Sequence, residues 1–375
     1  IAVTPFESVN MTACMLATNL GAKKTLARIE NYEYLQPANK EFFEKLGVDY
    51  LICPEKLAAE EIVEALKHTW LRQNLSFCND ALILLGIKVR NNSEIIDKPF
   101  NSGYFDHGKY RVVAINRKEK TIIPSGYDQI SAGDIVYFIT MKPNVEFVRE
   151  QAGKIVYPVR NVMIMGGSRI AQKTIQYLPG NINTKILERD KEKCYFLAEK
   201  LEDTLIINAD GRNVDALRSE GIQEIDAFVA TTANSEANIL ACLEAKRLGV
   251  KKTVAEVENI DYIQLAEDLD IGSVINKKMI AASYIYQLTL DADVLDVRSL
   301  TSADAEVVEF VAKEGSKITK TQIKNIRLPE NVNIGGIVRD GVGSIVYGNT
   351  QIMPNDHVIV FCISSAIRKV ETLFN

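Results

Sequence analysis

The chain has 375 residues, of which 47% are hydrophobic and 25% charged, and a formal net charge of −5. At about 100–200 residues per domain this length suggests two to four domains, and the composition is globular, without low-complexity or disordered stretches. The acidic balance excludes a nucleic-acid groove lined with Lys and Arg, and no apolar run of about 18 residues is present to cross a bilayer as a helix.

The first ten residues, IAVTPFESVN, carry no initiator Met and no targeting pattern and enter in mid-strand, so the first unit is expected to be incomplete. Residues 10–34, NMTACMLATNLGAKKTLARIENYEY, reappear without a gap at 238–262 as NILACLEAKRLGVKKTVAEVENIDY. Asn10 falls on Asn238, Cys14 on Cys242, Gly21 on Gly249 and Tyr34 on Tyr262. LICPEKLAA (51–59) then meets VINKKMIAA (274–282), and SGYDQISAGDIVYFIT (125–140) meets YGNTQIMPNDHVIVFC (347–362), with Asp134 against Asp356. Self-similarity on this scale is an architecture, here an α/β unit followed by a small β-rich unit, present twice. The expected division is 1–72 for the C-terminal part of a first Rossmann-like unit and 73–157 for a first β-rich module. A second, complete Rossmann-like unit then spans 158–290 and a second β-rich module 291–375, with joints near 72–80 and 288–294.

In the complete unit, apolar runs at 161–165, 184–187, 204–208, 226–230, 252–256 and 273–275 have strand length and helical patterns lie between them, which predicts an α/β fold with a doubly wound parallel sheet. The β-rich modules show short alternating runs, YRVVAI and SIVYG, between turn residues. After the first strand of the complete unit, Gly166-Gly167-Ser168 turns into a helix whose free N–H groups favour an anion. Against the dinucleotide pattern G-x-G-x-x-G, Ser168 stands at the central glycine and Ala171 at the last, so a side chain occupies the closest approach to a pyrophosphate. Glu188 ends the second strand at the spacing of about 20 residues that puts a carboxylate on ribose hydroxyls and favours NAD over NADP. Arg189 beside it opposes that preference. Asp210-Gly211 and Thr231-Thr232 end the third and fourth strands on the same ligand-binding edge. A Rossmann unit without a ligand, in which Asp210 and Thr232 only cap helices, also fits these residues.

The pattern MGGSRIA, ILERD, NADG and DAFVATTANSEANILACLEAKRLG, followed by a β-rich module and duplicated, resembles the RCK-type regulatory proteins of bacterial potassium uptake, most closely the TrkA family. The resemblance covers nearly all of the chain. It implies a peripheral nucleotide-binding subunit, cytoplasmic and at the inner face of the cell membrane, with NAD, NADH, ATP and ADP as candidate cofactors. It also implies a Trk-type integral membrane potassium channel subunit as partner, and self-association into a dimer or a tetrameric ring. By resemblance, Gly166, Gly167, Ser168, Arg169 and Ile170 cradle phosphates, Glu188 holds ribose, Asp210 lies beside adenosine, and Thr232 and Thr4 follow the fourth strands. Arg28 matches an arginine that faces phosphates, whereas Glu256 stands at its place in the second copy. The helical stretch 277–290 carries Met279, Ile280, Tyr284, Ile285 and Leu288, an apolar set too broad for one stripe and expected at a partner surface.

No residues for catalysis stand out. Of the three histidines, His68 reads as a surface residue, His107 as a turn residue and His357 as a solvated loop residue, and no Tyr-Lys pair, G-x-S-x-G turn or Walker loop is present. The six cysteines are scattered with no C-x-x-C pair and no histidine at ligand spacing, so reduced thiols and no metal site are expected. The expectation is a regulatory module and not an enzyme, against the alternative of an NAD-dependent oxidoreductase with a duplicated Rossmann domain.

Overall fold

The computed structural model describes all residues except 106, 119, 290–293 and 301–302. The first unit comprises α1 (Glu7–Asn19), β1 (Leu26–Arg28), α2 (Pro37–Lys45), β2 (Tyr50–Ile52) and α3 (Pro54–Lys67), with β1 and β2 paired in parallel. Met11, Cys14, Ala27, Ile29 and Val48 make a small core around this pair. In α3, Pro54 opens the first turn, where its missing N–H costs nothing, and Ala58, Ala59, Ile62 and Leu66 recur at helical spacing to form one apolar stripe. That stripe is buried against the second unit.

The first β-rich module follows with β3 (Gln73–Phe77), β4 (Leu82–Lys88), β5 (Tyr110–Arg117), β6 (Lys120–Ile122), β7 (Ile135–Thr140) and α4 (Val145–Gln151). The sequence placed a joint at 72–80. The structure corrects this, because Gln73–Phe77 alternates in burial and pairs antiparallel with β4, which leaves 68–72 as the connection.

Strands β8 (Asn161–Met165), β9 (Asn183–Glu188), β10 (Thr204–Asn208), β11 (Ala227–Ala230), β12 (Lys252–Glu256) and β13 (Ser273–Ile275) lie at the six apolar runs. They form one parallel sheet in the order β10-β9-β8-β11-β12-β13. The intervening helices are α5 (Arg169–Tyr177), α6 (Lys191–Lys200), α7 (Val214–Ser219), α8 (Ser235–Arg247) and α9 (Asp261–Asp268). Met163, Met165, Phe228 and Ala255 face α7, α8 and α9, whereas Val162, Ile164, Val229 and Val254 face α5, α6 and α3. The winding direction reverses between β8 and β11, the switch point where open α/β sheets bind ligands.

Helix α10 (Lys277–Thr289) leads to β14 (Val294–Ser299), β15 (Glu306–Val311), β16 (Val332–Arg339), β17 (Val342–Ile345), β18 (His357–Cys362) and α11 (Ile367–Phe374). The two antiparallel sheets have matching orders, β3-β4-β7-β5-β6 and β14-β15-β18-β16-β17, and matching irregularities at Val112/Ala114 and Ile334/Gly336. The Asp134 and Asp356 of the repeat do the same work, each accepting two hydrogen bonds from one arginine, Arg117 at 2.9 and 2.7 Å and Arg339 at 2.7 and 2.7 Å. The modules share a core, in which Leu82, Val113 and Ile139 of the first meet Val307, Ile359 and Phe361 of the second. Gly335 is needed there, since a Cβ would lie 2.5 Å from Phe361 and 3.1 Å from both Ile139 and Val113. The expected joint at 288–294 falls largely on 290–293, outside the described residues. Helix α10 is committed within the chain: Met279, Ile280 and Tyr286 each pack on a different core. Of the five residues read as a partner surface, Met279 and Ile280 are thus engaged within the chain.

The exit of the first unit is pinned to the second sheet by charge. Asp270, in left-handed backbone at φ +52, pairs with Arg72, with Arg90 at 2.6 Å and with Lys246 at 2.8 Å. Lys252 is 4% exposed and donates to the Leu71 carbonyl at 2.8 Å and to Ser273 at 3.0 Å. Burial, reinforced by Arg72 and opposed by Glu267, pushes its ammonium down to about 7. A lysine that loses its proton more easily folded than unfolded makes stability rise with pH between the two values. Lys252→Met is therefore expected to gain roughly 2 kcal/mol relative to the parent chain as pH is lowered from about 9 to about 6. Denaturant unfolding at the two pH values checks this, and parallel profiles would contradict it.

Candidate functional site

The loop after β8 is built from close approaches. Gly166 has φ +93, and a Cβ there would lie 2.9 Å from the Thr232 methyl. A Cβ on Gly167 would lie 2.2 Å from Leu197. Ser168 is the N-cap of α5, its Oγ accepting the Ala171 N–H at 3.2 Å. The serine at the central glycine position thus completes the helix start and keeps its O–H proton to donate. Ile170 and Ala171 are fully buried under the sheet, which is why the last position of the motif is small.

Glu188 reaches back to this loop. Its carboxylate accepts from the Gly167 N–H at 3.0 Å and the Asp190 N–H at 3.1 Å, and pairs with Lys193 at 2.7 Å. Burial alone would raise its pKa, but Lys193 and the two amides outweigh it and hold the carboxyl below its ordinary value. Lys193 went unnoticed in the sequence, although it lies one turn into the helix that Asp190 caps. Asp210 is clamped by Arg212, at 2.9 Å to the guanidinium Nε, and held at about 2 chiefly by it, with exposed Arg189 adding its charge. Gly211 is required because a Cβ would meet Met165 at 2.6 Å.

Thr231 is buried and donates to the Gly166 carbonyl at 3.2 Å. Thr232 is fixed by Asn238, whose Oδ1 accepts from the threonine hydroxyl at 2.6 Å and N–H at 3.1 Å, while its Nδ2 donates to the carbonyls of Thr232 and Glu256 at 2.8 Å each. The first unit repeats this bond for bond: Asn10 Oδ1 takes the Thr4 hydroxyl and N–H at 2.8 Å, and Asn10 Nδ2 reaches the carbonyls of Thr4 and Arg28 at 2.9 Å. These two asparagines were visible as matched letters of the repeat but not as the pins of the strand ends.

Two arginines expected at phosphates are paired with carboxylates. Arg169 meets Glu30 of the first unit at 2.6 Å, and on the same helix Lys173 sits over the Tyr32 ring. Arg28 bonds Glu55 at 3.1 Å, while its buried Nε has no hydrogen-bond partner. In the second copy the charges are exchanged, Glu256 lying 3.1 Å from Lys277.

This geometry is matched by family comparisons. The TrkA-N domain matches residues 162–277 and the TrkA-C domain matches 84–153 and again 307–375. The Trk system potassium uptake protein TrkA of Vibrio alginolyticus is 31% identical, over all of this chain and 83% of its own length. The chain belongs to the TrkA family. TrkA of Haemophilus influenzae is 30% identical over the same shares, and a TrkA homologue of Methanosarcina mazei 31% identical over all of this chain and 85% of its own. Among solved structures, the GsuK RCK domain superposes with a TM-score of 0.55 at 13% identity, covering 100% of this chain and 79% of that one. The GsuK channel bound to NAD gives 0.54 at 14%, covering 100% and 66%. At such identities these show the shared RCK fold. Its TrkA relatives are potassium uptake-system proteins, which favours the regulatory reading over the oxidoreductase alternative. Among the described residues no helix is long and apolar enough to cross a membrane.

Away from the loop, α3, β3, β4 and α10 enclose a cleft of about 760 Å³. His68, expected at the surface, lines it, as do Glu61 and Arg298. Burial pushes the Glu61 carboxyl up to about 7 against the pull of Arg298.

Because Glu188 titrates lower folded than unfolded, its contribution is present above the unfolded value and lost as pH falls through the folded one. Glu188→Gln is expected to destabilise this TrkA-family chain by about 1–2 kcal/mol near neutral pH, with the gap closing below about pH 4. Thermal melts across that range check it.

Proposed function

We propose that the chain is the nucleotide-binding regulatory subunit of a Trk-type potassium uptake system. The observation that carries this is a TrkA-N domain flanked by two TrkA-C domains, with a glycine loop whose helix α5 also makes the link between the two Rossmann-like units. We assign units 1–72, 73–157, 158–290 and 291–375 to that A-B-A-B scheme, and the nucleotide to the carboxyl edge formed by residues 166–170, 188–189, 210–211 and 231–232. NAD or NADH is the favoured class: Glu188 can accept from ribose hydroxyls while still holding Gly167, and it would repel a 2′-phosphate. A channel of the same fold is described as bound to NAD, which supports a dinucleotide at this edge. ATP and ADP remain in the test panel because the loop's anion site is common to all four.

Arg169 supplies the coupling. A phosphate at the loop competes with Glu30 for the guanidinium and so weakens the tie between the units. Helix α5 packs on α3, and α3 leads through five residues into β3 of the first β-rich module. A nucleotide moves this train only through its different affinities for the two arrangements. The readout is a membrane-embedded potassium-conducting subunit, to which several copies of the chain present their surfaces from the cytoplasmic side.

Calorimetry against NAD, NADH, ATP and ADP tests the assignment. Arg169→Ala is expected to weaken binding tenfold or more, and Glu30→Gln to tighten it roughly two- to fivefold by freeing Arg169. Unchanged affinities in both variants would remove the proposed switch.

A further inference from the structure

Where the two β-rich modules meet, three donor groups from distant parts of the chain converge. The Cys78 thiol lies 3.2 Å from Glu309 Oε1, and His357 Nδ1 lies 2.8 Å from the same oxygen. The three donor atoms are all within 4.8 Å of one another. Cys78 belongs to the first module and is 231 residues from Glu309, which is why spacing along the sequence gave no sign of the group and why no metal site was expected. His357, expected to be solvated, is instead drawn in by Glu309.

The placement is specific. In β15 and β18, Val311 is paired with His357 and Glu309 with Ile359, so Glu309 and His357 stand diagonally on one face of the sheet. On that same face Val307, Ile359 and Phe361 form the core shared with the first module. Glu309 is therefore a carboxylate, 6% exposed, set at the edge of an apolar interface, where a buried charge is costly unless it is strongly partnered. The thiol is presented by the β3–β4 turn, where Cys78, Asn79 and Asp80 take φ of 50, 54 and 66. Three consecutive left-handed residues without a glycine are a strained backbone, of the kind that persists where surrounding structure holds it for a purpose. The repeat supplies an internal comparison. In the first module the places of Glu309 and His357 are taken by Gly86 and Ile135, so neither the fold nor its packing calls for these donors.

We propose that Cys78, Glu309 and His357 form a binding site for a borderline-soft divalent cation of the zinc class, joining the two β-rich modules. One thiolate, one imidazole and one carboxylate suit Zn2+ and its neighbours and are unsuited to Mg2+ or Ca2+. Zinc bonds of about 2.0–2.3 Å in a tetrahedron set donor separations of about 3.3–3.6 Å. The existing group needs only small movements to reach them. On binding, the thiol gives up its proton to solvent, sulfur becomes the anionic ligand, and the half-exposed side of His357 leaves the fourth position to water. The cation then ties the β3–β4 turn to the second sheet, which adds a metal-dependent brace to the module pair and goes beyond the nucleotide-linked function.

The test is titration of the 375-residue chain with Zn2+, with Mg2+ and Ca2+ as controls, alongside the absorption spectrum of its Co2+ complex. The site predicts one Zn2+ per chain, no heat from the controls, and a thiolate-to-cobalt band in the near ultraviolet. The other five cysteines are buried away from this position. Cys78→Ser should abolish the band, and Cys78→Ser and His357→Gln should each lower Zn2+ affinity at least tenfold, with far-ultraviolet circular dichroism confirming that each variant is folded. Absence of the band in the parent chain, or Zn2+ affinity unchanged in His357→Gln, overturns the proposal even if Cys78→Ser does not fold.

Discussion

A parallel sheet must be covered on both faces, and here part of the cover for the complete sheet is supplied by the other copy of the repeat. Helices α5 and α6 shield β8, β9 and β10 on one side, and α3 of the first unit extends that cover over Val229, Val254 and Ile275. Ala58 and Ala59 let α3 come close, while Ile62 and Leu66 fill the space beyond them. At about 1.5–3 kcal/mol for each large apolar side chain buried, this one stripe is comparable with a sizeable part of a domain's net stability. The two Rossmann-like units are consequently one packed body. The ion pair from Arg169 to Glu30 and the Asp270 cluster sit on a join that hydrophobic burial has already made.

Charges along this join show which features the duplication kept. Asn10 and Asn238 bond the same four backbone and hydroxyl groups in both copies, because a strand end needs its polar groups paired wherever it lies in the interior. The ion pair beside them reverses its sense and shifts its partner by one residue, Arg28 with Glu55 in one copy and, in the other, Glu256 with Lys277, which stands at the place of Pro54. A neutral pair satisfies the burial requirement either way round. An anion does not have that indifference, so the two strand ends present different fields to a phosphate.

Much of the fold was legible in the sequence. The six strands of the complete sheet fell on six apolar runs, since a buried parallel strand must be apolar on both sides, and the glycine loop announced itself through contacts that forbid a Cβ. The site was legible less fully. Glu188, Asp210 and Thr232 could be singled out because each lies at or just beyond the end of a strand. Their partners Lys193, Arg212 and Asn238 were missed because what gives them meaning is a side-chain direction and not a motif. Cross-unit partners were beyond reach for a further reason: nothing in the spacing of Glu30 and Arg169, or of Cys78 and Glu309, signals that tertiary packing brings them together. The strand Gln73–Phe77 was hidden by the turn residues that follow it, and part of the apolar breadth of α10, at Met279 and Ile280, reflects internal contacts.

The shared core of the β-rich modules has a consequence for how the protein behaves when it is scarce. Gly335, set against Val113 and Ile139, and Arg111, which donates to the Val346 carbonyl at 2.8 Å, belong to a contact between tethered partners. Association within one chain runs at the effective concentration fixed by the connecting polypeptide, whatever the number of molecules in the cell. A protein carrying a single such module would lose its paired form on dilution. Here the pair survives down to the last copy, and only contacts between chains follow the law of mass action.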